Sequence, residues 1–311
     1  MRSRAMRWVT AVAVAVSLAA CSNSNPLTGG TGGDNNPMTV TVGSANFPES
    51  ETVANIYATV LRINGFQVTT KFDIGSREAY VPAVKDGSID VIPDYTGNLL
   101  RYLDKNATAT SATDVVHALQ SALPDQLTIA NPAPGEDKDA VVVTRETAQR
   151  WHLHSIGDLA AHSAEVKFGA PAEFRERPVG LPGLKKNYGL DIAADNFVPI
   201  SDGGGPATVQ ALASGQITAA DIFTTSPAIK KNNFVVLADP KDNFPAQNVV
   251  PLLNKAASSD KLVKVLNVVS SRLGTDGLLA LNDMVSGDQK MEPDKAAQGW
   301  VGLVQLDKPI G

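Results

Sequence analysis

Residues 78–103 read EAYVPAVKDGSIDVIPDYTGNLLRYL, and this stretch decides the fold class. Glu78 to Lys85 keeps helical spacing, Gly87 interrupts it, and Ile89 to Pro93 is an apolar run of strand length. Asn98 to Leu103 then returns to helical spacing. A helix, a strand and a helix in so short a span are the repeating unit of an α/β fold.

The same alternation continues on both sides. Upstream, Thr39–Gly43 is a β-branched run, and Glu49 to Asn64 is a helix whose Val53, Ile56, Tyr57, Val60 and Leu61 fall on one face. Pro48 suits its first turn, Glu49 and Glu51 suit the positive end of its dipole, and Gly65 suits its stop. Phe66–Ile74 reads as a strand and Thr113–Leu123 as a helix. A second block starts near Asp139: strands at 140–144, 166–170, 197–200, 217–223 and 234–238, helices at 145–151 and up to Ala213, and a Gly/Pro-punctuated stretch at 180–188. Val249–Leu253 is a strand, and helices at 260–273, 276–285 and 294–303 close the chain. Repeated β-α-β units predict largely parallel sheets with helices on both faces. Two lobes of roughly 100–190 residues suit a chain of 311 better than one sheet. Ligands in such folds sit beyond the C-terminal ends of strands, which directs attention to the segments after Gly43, Ile74, Pro93, Ile200 and Ile222.

The N-terminus carries an address. Arg2, Arg4 and Arg7 precede an uncharged run of about 13 residues, Trp8–Ala20. A membrane-spanning helix needs about 20 apolar residues, whereas a signal peptide needs only 7–15 after a basic start. Residues 1–20 therefore read as a signal peptide. Leu18-Ala19-Ala20-Cys21 resembles a bacterial lipobox, which makes Cys21 the expected site of lipidation and the new N-terminus, on the extracytoplasmic face of the cell membrane. Residues 21–37, rich in Gly, Asn and Ser, read as a lipidated cysteine and flexible tether.

Composition removes several functions. Cys21 is the single cysteine, so no internal disulfide and no multi-cysteine zinc site exists. The formal net charge is -5, and no acidic residue precedes Asp34, so the folded part is more acidic than the whole; a broad nucleic-acid-binding surface is not expected. No G-x-S-x-G, H-E-x-x-H or P-loop spacing occurs, and no catalytic residue is assigned. His152, His154 and His162 lie close in sequence, but His152 and His154 fall on different helix faces, so no metal site is assigned. Asp90, Asp94 and Asp104 read as caps and solvated positions rather than a catalytic pair. Gly203-Gly204-Gly205 reads as a tight turn, with an anion-binding helix start as the alternative.

Four motifs carry a family resemblance. Residues 42–49, VGSANFPE, resemble the IGSKNFTE opening of the substrate-binding proteins of osmoprotectant ABC transporters, the binders of glycine betaine, choline and carnitine. KDGSIDVIPDYTG at 85–97 resembles their K-x-G-x-I-D-x-x-P-E-Y-T-G, and FGAPAEFRERPVGLPGL at 168–184 resembles F-G-A-x-x-E-F-x-x-R-x-D-G-L-P-G-L. Tyr188-Gly189-Leu190 continues the pattern, so the resemblance spans Thr39 to about Val304. It implies a two-lobed periplasmic-binding-protein fold (type II) with the ligand cleft between the lobes. Lobe one would be 38–138 plus 240–311, and lobe two 139–239. It implies no cofactor, a monomer, and a membrane permease and ATPase as partners.

The resemblance also implies site residues. Quaternary ammonium groups have no N–H, so they are held by aromatic faces. The P-E-Y-T-G tyrosine matches Tyr95, and the A-Y-S-T-D tyrosine matches Phe223. The N-N-T-Y-A tyrosine falls near Asp139-Ala140, the F-P-P-Y tyrosine at Gln247, and the glutamine of N-F-T-E-Q at Ser50, so two family walls are absent. Asp139 or Asp94 is the candidate to supply charge instead. Phe47 completes the apolar set, and Ser44, Asn46, Ser76, Arg77, Thr96, Thr224, Gln247 and Asn248 are the candidate hydrogen-bonding residues. Three functional classes follow: a receptor for an osmoprotectant, the same receptor with specificity moved to a polar or hydroxylated solute (polyol, sugar or phenolic), and a regulatory or adhesive lipoprotein. A surface-anchored hydrolase is the enzyme alternative.

Overall fold

The computed structural model describes residues 38–311. The expected signal peptide, Cys21 and the tether lie outside the described residues. The described residues form one compact unit. In chain order its strands are β1 (Thr39–Gly43), β2 (Gln67–Lys71), β3 (Val91–Tyr95), β4 (Leu127–Ile129), β5 (Val141–Val143), β6 (Phe168–Ala170), β7 (Phe197–Pro199), β8 (Ala219–Asp221), β9 (Val235–Val236) and β10 (Val249–Asn254). The helices are α1 (Pro48–Ile63), α2 (Arg77–Lys85), α3 (Thr96–Leu103), α4 (Ala112–Ala122), α5 (Arg145–Arg150), α6 (Ile156–Ala160), α7 (Leu181–Tyr188), α8 (Pro206–Ala213), α9 (Pro227–Lys231), α10 (Asp260–Arg272), α11 (Thr275–Ser286) and α12 (Pro293–Leu303).

The strands form two five-stranded sheets, ordered β2-β1-β3-β10-β4 and β7-β6-β8-β5-β9. The two orders are the same pattern. In each, the second strand (β1 or β6) pairs in parallel with both neighbours, and the fourth strand is antiparallel to the third. That corrects the expectation of largely parallel sheets. The reversed strands, β5 and β10, are the first strands laid down after the chain leaves one sheet for the other. They are not returned by a crossover helix within their own sheet, so the handedness that enforces parallel neighbours does not act on them. β10 shows the register: Val250 faces Asp94 and Leu253 faces Val91.

Helices cover both faces of each sheet. α1 is the centre of the first. Pro48 occupies its first turn, Glu49 and Glu51 lie at its positive end, and its buried face carries Val53, Ile56, Tyr57, Val60 and Leu61. That face packs with Val40, Val42 and Val91 of the sheet and with Leu266, Trp300 and Val301 of the C-terminal helices. Truncating Ile56, which is fully buried, to alanine would cost about 2–5 kcal/mol. Across the sheet, Tyr80, Val84, Leu99, Leu100, Val115 and Leu119 of α2–α4 cover Ile92 and Leu252. The second sheet is covered by a larger cluster around Phe168, Phe174 and Leu184 and a smaller one around Leu212, Ala220 and Ile222. Periodicity missed β4, α6 and α9, which have three to five residues each, too few for a repeat to register. Among the described residues no helix is long and apolar enough to cross a membrane.

Candidate functional site

The C-terminal ends of the parallel strands of both sheets point toward a common cleft, which holds a cavity of about 200 Å³. Each of the five loops expected from strand order contributes to its wall: Ala45, Asn46 and Phe47 after β1, Ser76 and Arg77 after β2, Tyr95 and Asn98 at the end of β3, Ser201 and Gly203 after β7, and Phe223 after β8. The segment after β6 adds Pro171, Glu173, Phe174 and Arg177, and the crossing from β4 to β5 adds Asp137 and Asp139. The two lobes touch around the cavity. Arg177 Nη2 donates to Glu78 Oε2 at 3.1 Å, Thr225 Oγ1 donates to Glu49 Oε2 at 2.7 Å, and Asn46 Nδ2 reaches the Ser201 carbonyl at 3.5 Å. Gly203 allows the closest approach. Its φ is +59°, and a Cβ there would stand 2.9 Å from Phe47 Cβ.

Three aromatic rings form a continuous patch on the wall. Phe47 lies 6.0 Å from Tyr95 and 5.4 Å from Phe223, centroid to centroid. Tyr80 and Phe174 also border the cavity, so the aromatic surface is larger than the two family positions that motif matching retained. The Tyr95 hydroxyl donates to Glu49 Oε1 at 2.6 Å, which fixes the ring. A second chamber of about 260 Å³ lies behind the Phe47–Phe223 pair and shares Phe47, Asp137, Gly203 and Phe223 with the first.

Carboxylates dominate the charge. Asp137, Asp139, Glu173 and Asp221 line the cavity against Arg77 and Arg177. Both arginines are already engaged. Arg77 donates through Nε and Nη2 to Asp94 Oδ1 at 2.9 and 2.6 Å, and Arg177 meets Glu78 and Glu173. Burial lowers the Arg77 guanidinium, but the Asp94 charge and hydrogen bond outweigh it and push it well above its ordinary value. Asp139 Oδ2 accepts from Asn98 Nδ2 at 2.7 Å and from Gln247 Nε2 at 3.2 Å. Burial, first, and then the charge of Asp139 push the Asp221 carboxyl well above the usual carboxylate range; Arg177 works against that rise, and Asp139 is near enough to share a proton with it. Asp137 is pushed up by burial and by Glu49, opposed by hydrogen bonds from Thr225.

The structure sorts the remaining candidates. Asn46, Phe47, Ser76, Arg77, Tyr95, Asp139 and Phe223 lie on the cavity wall. Ser44, Asp94, Thr96, Thr224, Gln247 and Asn248 do not line it, and their polar atoms hold the frame together. Ser44 Oγ accepts from Asp73 N; Thr96 Oγ1 donates to the Ala246 carbonyl and accepts from Asn248 N. Thr224 Oγ1 accepts from Lys138 N and donates to Asp137, and Asn248 Nδ2 donates to the Ala133 carbonyl. Gln247, in the place of a family tyrosine, is fully buried and accepts from Asn98 N. Ser50 Oγ accepts from Ala45 N. Asp94 is closed by Arg77, the Tyr80 hydroxyl and its neighbour Tyr95 N, so of the two acids named to supply charge only Asp139 reaches the cavity. The glycine turn is capped from within. Asp202 accepts from Ala207 N at 2.6 Å and Thr208 N at 3.2 Å, so the start of α8 already has its anion. Asp137, Asp221, Glu173 and Arg177 were missed, although Glu173 and Arg177 stand inside a motif quoted above; fixed spacing did not distinguish them from turn residues.

A family model described as the substrate binding domain of ABC-type glycine betaine transport system matches residues 38–302. The glycine betaine-binding protein YehZ of Escherichia coli K12 is 26% identical over 269 residues, which is 81% of this chain and 88% of that protein. A glycine-betaine-binding protein of Pseudomonas aeruginosa is 26% identical over 267 residues, 81% of this chain and 84% of that one. The solved structure of a glycine betaine/carnitine/choline ABC transporter shares the fold, with a TM-score of 0.67 at 21% identity over 88% of this chain and all of that one.

Proposed function

The chain belongs to the family of substrate-binding domains of ABC-type glycine betaine transport systems, and we propose that it captures a small quaternary ammonium solute of the glycine betaine or choline type and presents it to an ABC importer. The observation that carries this reading is the patch formed by Phe47, Tyr95 and Phe223 beside buried carboxylates. Ring faces attract a cation that has no N–H to donate, each by about 0.5–2 kcal/mol when water is excluded. Carboxylates add the long-range attraction that the two missing tyrosines would not have supplied.

Capture proceeds by hinge closure. The lobes, 38–138 plus 240–311 and 139–239, are linked by two crossings, and Glu136–Asp139 and Ala238–Lys241 are the hinge segments. Solute drives closure because its contacts with both walls form only when they meet. The receptor is a monomer held to the extracytoplasmic face by lipid on Cys21, with the permease and ATPase as partners.

Calorimetry on the purified chain tests the reading. The panel holds glycine betaine, choline, carnitine, proline betaine, and a set of polyols and sugars. Binding of at least one quaternary ammonium compound in the micromolar range, with compaction by small-angle scattering, is the expected result. Heat from a polyol or sugar and none from any quaternary amine would overturn it.

A further inference from the structure

Glu49, Thr225 and Asn282 meet behind the aromatic patch, and none of them lines the first cavity. Glu49 begins α1 and Asn282 lies on α11, two helices that share the core of the first sheet, whereas Thr225 follows β8 of the second. Thr225 Oγ1 donates to Glu49 Oε2 at 2.7 Å. Asn282 Nδ2 donates to the same carboxylate oxygen and, at 2.9 Å, to Thr225 Oγ1. All three side chains are buried. Away from the two crossings, the ion pairs Arg177–Glu78 and Lys231–Asp288 also join the lobes, but Glu78 is 47% exposed and Asp288 85%. Water and salt leave such exposed pairs little net effect. The buried contact at Thr225 is therefore the stronger tie.

The same carboxylate joins this contact to the solute wall. Glu49 Oε1 accepts from the Tyr95 hydroxyl at 2.6 Å, and Thr225 stands two residues after Phe223. The Thr225 N–H donates to Asp137 Oδ1 at 2.9 Å, on the crossing between the lobes. Tyr95 and Phe223 thus close on the solute in the same movement that brings the Thr225 hydroxyl onto Glu49.

We propose that Thr225 is a positioning residue for capture: its hydroxyl, set between Glu49 and Asn282, latches the closed arrangement without touching the solute. The inference rests on the receptor reading for what is captured, but not for the contact itself. A bond made only when the lobes meet favours the closed state whatever lies between them, so it raises the affinity for every solute by one common factor.

Two substitutions in the full chain test this. Thr225→Val removes the hydroxyl and keeps the shape and the N–H to Asp137; Thr225→Ser keeps the hydroxyl. Calorimetry measures choline and glycine betaine binding to each, and thermal transitions show that each is folded. One hydrogen bond to a carboxylate corresponds to about 10- to 100-fold. Thr225→Val should weaken both probes by the same factor in that range, and Thr225→Ser should bind them as the wild-type chain does. Asn282→Ala removes the partner on the other lobe and should give a common loss of the same kind, so the result does not hang on one variant. Unchanged affinity in Thr225→Val and Asn282→Ala would overturn the latch, and so would a loss for one probe and not the other, which marks a solute contact. Silence of the wild-type chain toward both probes would count against the quaternary ammonium reading instead. Small-angle scattering without solute then decides the latch: Thr225→Val should have a larger radius of gyration than the wild type and Thr225→Ser should not, and equal radii would overturn it.

Discussion

Asp94 and Asp221 sit at the C-terminal ends of matching strands, β3 and β8, in sheets with the same strand order, and they meet opposite fates. Asp94 is fully buried and accepts from Arg77, the Tyr80 hydroxyl and a backbone N–H. Asp221 is almost as buried, lacks an arginine of its own, and faces a second acid, Asp139, near enough to share a proton with it. One acid is paired with an arginine and the other with another carboxyl. The comparison teaches that burial alone does not set the character of an acid in this cleft. The group that faces it does.

Removing the partner of the closed acid breaks the comparison most forcefully. Arg77→Met leaves Asp94 buried and unpaired, and we expect about 3–5 kcal/mol of destabilisation in denaturant unfolding. The matching change on the other acid has the opposite sign. Asp221→Asn removes a carboxyl whose ionised form is disfavoured by burial and by Asp139. We expect a higher Tm at neutral pH. A loss of stability equal to that of Arg77→Met would mean the two acids play the same role.

The pH dependence of binding sharpens the contrast. A cation favours the ionised form of Asp221, whose pKa is raised by burial and by Asp139, with Arg177 opposing. Asp137, raised by burial and Glu49, acts in the same direction. Below these raised values the acids are neutral and a cation must displace a proton. Choline affinity should therefore rise with pH, by at most about tenfold per unit for each proton released, and level off once they are ionised. Without solute the linkage runs the other way. The folded state holds protons that the unfolded state releases above its ordinary carboxylate range, so these two groups lower stability as pH rises through that window. The smallest effect is expected at the ring. Phe223→Ala should weaken quaternary ammonium binding by about 0.5–2 kcal/mol, read as the change in choline affinity by calorimetry.

Much of this was legible in the sequence. The alternation around residues 78–103 gave the α/β class, and the motifs located Tyr95, Phe223 and Phe47, which form one patch. Strand order located the five loops that line the cavity. What spacing could not show is which polar atoms are already taken. Thr96 looks like a ligand residue until its hydroxyl is found bonded to Ala246 and Asn248, about 150 positions away. Arg77 looks like a solute anchor until Asp94 is seen to occupy its fork. The reversed strands β5 and β10 escaped because periodicity gives a strand's faces and says nothing of its direction.

A crystal structure of the chain with choline tests the account most directly. The ammonium group should lie against the rings of Phe47, Tyr95 and Phe223, within about 6 Å of a ring centroid. Choline seated in the chamber behind Phe223, or away from all three rings, would contradict it.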